Sequence, residues 1–251
     1  MPLVVTHRDD PGETRWYASL FDFSRSRGLA VLADPSIEVI EREIRNPDLI
    51  FSFYYRSMLP MSVLKRARLG AYNLHGSLLP KFRGRAPLNW AIVKGETETG
   101  ATLHEMVEKP DAGRIVDQQA VPIGRDETAV EVFRKLTDAA EQVLKRNIQN
   151  LVNGKGVLRP QDLSAGSYYG RRTPEDGRID WSMSALEIHN LVRAVAPPFP
   201  GAFTDGMRVF KTRLEPGKKA LKKGPYQENG EWFGGCGDGK VLRLLEVQES
   251  T

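Results

Sequence analysis

Cysteine is nearly absent: Cys236 is the only one in 251 residues. No intramolecular disulfide can form, and a zinc site built from several cysteines is excluded, which fits a reducing cytoplasm. Long apolar runs are missing too. None approaches the ~20 residues that a membrane-spanning helix needs, and the opening MPLVVTHRDDPGE has no long apolar core of the signal-peptide type. No G-x-G-x-x-G and no P-loop sequence occurs, so nothing signals a dinucleotide or nucleoside-triphosphate cradle. There is no internal repeat, and the one biased run is KKALKK, whose Lys218, Lys219, Lys222 and Lys223 fit a solvated loop better than a phosphate patch. The net charge of +4 is mildly basic, compatible with anionic ligands and equally with a solvated surface.

What is present is alternation. LVVT, LAVL, DLIFSFYY and AYNLH are short β-prone runs, and TRWYASLFDFSRSRG, SIEVIEREIRN and PMSVLKRARLG between them carry apolar residues at helical spacing. PLNWAIVKGE reads as a further helix, TGATLHEMV and RIVDQQAVPI as two strands, and ETAVEVFRKLTDAAEQVLKRNIQNLVNG as a long helix closed by Gly154. The pattern predicts a doubly wound α/β sheet over residues 1–155. Residues 156–200 read as a loop-rich linker with one helix, SALEIHNLVRAV, and residues 201–251 as a small β-rich domain.

In such a sheet, ligands bind outside the carboxyl ends of the strands. The strand AYNLH ends at HGSLLPKFRGRAPLNW, and its alternation puts Asn73 and His75 on one face. Histidine titrates nearest neutrality and suits proton transfer, while an asparagine amide is a good donor to a developing oxyanion. A structural histidine would satisfy the spacing equally well. A second segment, EKPDAGRIVDQQ, places Asp111 in a Pro-Asp-Ala-Gly turn, where aspartate is often a turn former. His7, His104 and His189 have no comparable context and receive no role.

Taken together, Asn-x-His-x-Ser-Leu-Leu-Pro-x-x-Arg-Gly, then Trp90, Gly-x-Thr-Leu-His and Asp-Ala-Gly-x-Ile, resemble the folate-dependent formyltransferases, from about Val4 to Val247. FSFYYR, HGSLLPKFRGRAPLNW and VRAVAPPFPGAF look most like the sugar-nucleotide branch that formylates UDP-4-amino-4-deoxy-L-arabinose. The resemblance implies a Rossmann-like sheet, N10-formyltetrahydrofolate as co-substrate, a sugar nucleotide as acceptor, and neither metal, nucleic acid nor membrane; a homo-oligomer is left open. It implies Asn73, His75 and Asp111 as catalytic residues. Ser57, Met58, Leu59 and Arg85 would form the folate pocket with Val107, Glu108, Lys109, Pro110 and Asp111. Tyr54, Tyr55, Arg171 and Arg172 would line the sugar-nucleotide side. Alternatives are another amino-sugar nucleotide, methionyl-tRNA, or an inactive truncated remnant. The last arises because family members begin with a strand and a helix ahead of the segment matching VVTHRDDPGE. The resemblance therefore implies a sheet without its first, central strand, leaving the neighbouring strands without hydrogen-bond partners.

Overall fold

The computed structural model describes residues 2–12 and 16–249. Strand β1 (Leu3–Thr6) pairs in parallel with β2 (Ala30–Ala33), in register from Leu3 opposite Ala30 to Thr6 opposite Ala33. Between them lies helix α1 (Leu20–Ser26), started by Ser19, whose hydroxyl accepts from the Asp22 N–H. The helix is shorter than its apolar run, because Ser19 takes the extended conformation of a cap; Thr14 and Arg15 of that run lie outside the described residues. Helix α2 (Ile37–Glu43), capped in the same way by Ser36, leads to β3 (Leu49–Phe53).

The run PMSVLKRARLG forms only one helical turn, α3 (Met61–Leu64). The N–H groups of Arg68 and Leu69 donate to the carbonyls of Pro47 and Asp48. This draws the chain out into β4 (Gly70–His75). After it come β5 (Arg83–Gly84), helix α4 (Pro87–Val93), β6 (Glu98–Glu105), β7 (Ile115–Pro122) and the long helix α5 (Ala129–Val152). The main sheet runs β3-β4-β6-β7, with β3 and β4 parallel and the other pairs antiparallel.

Strands β1 and β3 share no ladder among the described residues, so the α/β body holds two parallel pairs in separate sheets. Just beyond the ends of these strands, the rings of His7 and Tyr55 stack with centroids 5.0 Å apart. Phe53, at the end of the edge strand β3, stays 45 % exposed.

Helix α5 starts with a capping box between Thr128 and Glu131 and buries Val132, Leu136, Ala139, Ala140 and Val143. Spacings of three and four residues make one stripe. That stripe packs on Tyr72 and Leu74 of β4, Ala101 and Leu103 of β6 and Val116 of β7. Burial of each large apolar side chain contributes roughly 1.5–3 kcal/mol before entropy is counted.

The linker contains two 3-10 turns and the two-residue strand β8 (Tyr168–Tyr169), which pairs with β5. Helix α6 (Ala185–Ala194) belongs to the second core, where Ile188 and Val192 meet Met207, Val209, Leu242 and Leu244. This core already includes Ile179 and Trp181. Its antiparallel sheet comprises β9 (Ala202–Thr204), β10 (Met207–Leu214), β11 (Gly224–Glu228), β12 (Glu231–Gly235) and β13 (Val241–Glu249), in the order β11-β12-β13-β10-β9. Among the described residues, no helix is long and apolar enough to cross a membrane.

Candidate active site

Alternation along β4 sends Asn73 and His75 to the same face. On the antiparallel β6, His104 stands opposite Asn73 and Thr102 opposite His75. Past His75 the chain turns through Ser77, which is fully buried. Its hydroxyl donates to the Lys81 carbonyl at 2.7 Å, and the Thr102 hydroxyl donates to the Ser77 carbonyl at 2.6 Å. Gln118 of β7 donates to the Leu79 carbonyl and to Thr102 Oγ1, each at 2.9 Å. Ser77 therefore holds the turn.

His75 is buried, with Nε2 2.9 Å from the Phe82 carbonyl oxygen. A carbonyl only accepts, so Nε2 carries the hydrogen and Nδ1 is the nitrogen left for chemistry. Nδ1 lies 3.6 Å from Asp111 Oδ1, and the same oxygen is 3.5 Å from His104 Nε2. Asp111 Oδ2 accepts the Gly84 N–H at 2.8 Å. The aspartate thus reaches out of its own turn, from a left-handed backbone with φ of +53°, to tie β5 to both imidazoles.

Burial sets the electrostatics. It lowers the pKa of His75 more than the Asp111 charge, helped by the Phe82 carbonyl, raises it. The Asp111 carboxylate does push it upward, but desolvation wins. For Asp111, burial raises the carboxyl pKa. The neighbouring His104, the charge of His75 and the Gly84 N–H outweigh it and leave the carboxyl below its ordinary value.

Asn73, His75, His104 and Asp111 open into a cleft of about 790 Å³. It also takes in Tyr54, Tyr55, Arg56, Ser57, Met58, Leu59, Arg85, Val107, Pro110, Tyr168, Arg171 and Arg172. Met58, 60 % exposed, lies open to solvent rather than in a core. Glu108 and Lys109, expected beside folate, are not among the lining residues. Arg85 donates to the Arg56 carbonyl at 3.4 Å, and the Arg172 guanidinium sits over the Trp90 ring, 4.6 Å from its centroid. His104, only 1 % exposed, is the site residue that sequence reasoning passed over. Its one trace there was its place two residues after Thr102 on a strand, and the pairing with Asn73 depends on a register that one sequence does not display. Tyr168 was also missed, since a tyrosine in a loop-rich linker carries no signal. His7 lies outside the cleft lining, and His189 belongs to the contact between the two cores.

Residues 34–148 match the family model described as formyl transferase, and residues 171–251 match its C-terminal domain. The chain belongs to the formyl transferase family. Its fold is shared with WlaRD, a sugar 3N-formyl transferase solved with dTDP and 5-N-formyl-THF. That likeness has 22% identity over 96% of this chain and 86% of the other, with a TM-score of 0.76. The N-formyltransferase from Helicobacter canadensis, solved with folinic acid and dTDP-3-aminofucose, is 20% identical over 96% of this chain and 98% of that one, with a TM-score of 0.77. HypX from Aquifex aeolicus, solved with tetrahydrofolic acid, is 22% identical, with a TM-score of 0.68; 99% of the formyltransferase described here aligns with 44% of HypX.

Proposed function

We propose that this formyltransferase moves the formyl group of N10-formyltetrahydrofolate to the amine of a sugar nucleotide, with UDP-4-amino-4-deoxy-L-arabinose as the acceptor. The observation that carries the reading is the convergence of Asn73, His75 and Asp111 on one cleft whose lining holds both apolar and basic side chains. Met58, Leu59, Val107 and Pro110 give apolar surface suited to a pteridine. Arg85 lies in the same lining on the folate side, and Arg56, Arg171 and Arg172 give basic groups suited to a diphosphate. The folate and dTDP-sugar ligands of the neighbours that share the fold support both halves.

The chemistry follows from the groups present. The sugar amine attacks the formyl carbon, and the carbonyl oxygen becomes an oxyanion that an Asn73 N–H can bind; loss of one such donor commonly costs ~2.7–4 kcal/mol of barrier. The new C–N bond leaves a surplus proton on the amine. His75 Nδ1 takes that proton and returns it to N10 as the C–N10 bond breaks, releasing tetrahydrofolate. Asp111 steadies the imidazolium formed between the two transfers. No covalent enzyme intermediate is required.

The test is an assay with formyltetrahydrofolate against UDP- and dTDP-linked 3-amino and 4-amino sugars and methionyl-tRNA, with His75→Ala as the blank. Turnover is expected with amino-sugar nucleotides, fastest with the UDP-4-amino-arabinose acceptor. A preference for a dTDP-linked sugar would replace the named acceptor, and turnover of methionyl-tRNA alone would overturn the sugar-nucleotide reading.

A further inference from the structure

His104 is buried, opposite the oxyanion donor, and has no part in the steps above. Its Nδ1 lies 2.9 Å from the Glu105 carbonyl oxygen. Because that oxygen can only accept, Nδ1 carries the hydrogen, and in the neutral ring Nε2 offers a lone pair. Asn73 Nδ2 stands 3.1 Å from this nitrogen, nearer than Asp111 Oδ1 at 3.5 Å. Nε2 therefore accepts one of the two Asn73 N–H groups.

An amide that lacks such a partner can turn about its last torsion and exchange oxygen for nitrogen with little steric cost. Turned over, Asn73 would point its own carbonyl oxygen at the developing oxyanion, and two like partial charges would meet where a donor is needed. An acceptor fixed on one amide hydrogen prevents this and aims the other hydrogen into the cleft. We infer that His104 is a positioning residue for formyl transfer: its neutral, Nδ1-protonated ring fixes which way the Asn73 amide faces. The inference rests on the formyl-transfer reading of the site. Protonation of the same ring would turn Nε2 into a donor toward Asp111 and strip Asn73 of its acceptor, so the neutral tautomer is the working one.

The experiment has a kinetic arm and a spectroscopic arm. His104→Phe keeps a flat ring but no acceptor, and His104→Gln restores a carbonyl oxygen near the place of Nε2. His104→Phe should lower kcat by about 10-fold to 1,000-fold, the upper end being the loss of a whole oxyanion donor, with KM for both substrates nearly unchanged. His104→Gln should recover most of that rate, and in an Asn73→Ala background His104→Phe should cost nothing more. A further loss in that background, a KM effect without a kcat effect, or a glutamine variant as slow as the phenylalanine one overturns the inference. The second arm uses 15N-histidine-labelled protein and needs no turnover. The His104 Nε2 resonance should be that of an unprotonated acceptor and should shift in Asn73→Ala. A protonated Nε2, or one indifferent to Asn73→Ala, overturns the inference even in active enzyme. Absence of turnover by the wild-type protein would instead remove the formyl-transfer reading, and the resonance would still decide how Asn73 is held.

Discussion

Asp111 does three things with two oxygens: it accepts from Gly84, faces His75 Nδ1 and faces His104 Nε2. Asp111→Asn keeps the shape and can still accept the Gly84 N–H, so the fold should survive. What disappears is the charge that opposes the desolvation of His75. The histidine pKa, already low, should fall further. The acidic limb of the kcat profile should then move to lower pH, while the plateau drops on the order of 100-fold or more, the range lost with a general acid-base partner. A wild-type profile in Asp111→Asn would reduce the aspartate to a turn residue. The same two shifts fix how stability responds to acid. The native pKa of His75 is depressed, so the unfolded chain binds the proton more readily and stability falls as pH drops from about 6.5 toward the native value. Asp111 is likewise depressed, and its contribution is present above about pH 3.9 and lost as pH falls through its lower native value. Acid titration of the wild type should therefore show a first loss of stability below about pH 6.5, smaller in His75→Ala.

Two-residue β5 shows how little backbone positions the site. Gly84 has φ of +98°, and a Cβ there would meet the Tyr169 carbonyl oxygen of β8 at 2.1 Å. Its N–H is also the one that Asp111 accepts. Gly84→Ala should force β5 from β8 and carry the N–H away from the carboxylate. The expected outcome is destabilisation of at least ~1 kcal/mol and a fall in kcat greater than in thermal stability. Equal kcat in a destabilised variant would show that Asp111 needs no backbone anchor. The sequence displayed β5 only as the Arg-Gly of a motif, since two residues make no periodic signal. Elements set by their own pattern were legible: α5 with its Thr128 and Glu131 box, and β4 with its alternating Asn73 and His75. Those set by partners were not. The helical spacing of PMSVLKRARLG lost to the Pro47 and Asp48 carbonyls, which captured its amides after one turn. His104 received no role for a related reason, because its meaning lies in the residue across the ladder.

At the scale of the whole molecule, two hydrophobic cores meet along α6, and the contact is polar and buried. Arg193, 7 % exposed, donates from Nε to Asn190 Oδ1 at 2.9 Å, and from Nη1 to the carbonyls of Gly124 at 3.1 Å and Glu127 at 2.9 Å. Those carbonyls belong to the loop before α5, so one guanidinium joins the cap of the longest helix in the first core to the helix of the second. Beside it, His189 Nδ1 contacts the Thr212 hydroxyl of β10 at 2.9 Å, and Nε2 faces the Arg125 carbonyl at 3.3 Å. Asn89 of α4 adds a donor to the Ala194 carbonyl at 2.7 Å. Arg193→Met preserves the aliphatic stem but strands two carbonyls and an amide oxygen in a closed contact. Each buried acceptor left unmade costs roughly 1–3 kcal/mol, and for a chain of this length each kcal/mol lowers Tm by about 2–4 °C. The melt should fall by several degrees, and calorimetry should resolve two transitions, against the single one expected of the wild type, because the cores no longer unfold together. Burial also depresses the pKa of His189, despite the Arg125 carbonyl and Asp126 pulling it up, so protonation of that ring opposes the docked state and the contact weakens as pH falls below about 6.5. In Arg193→Met the gap between the two transitions should therefore widen on acidification. A single transition with unchanged Tm across that range would mean that the apolar contacts around α6 hold the two cores together without the arginine.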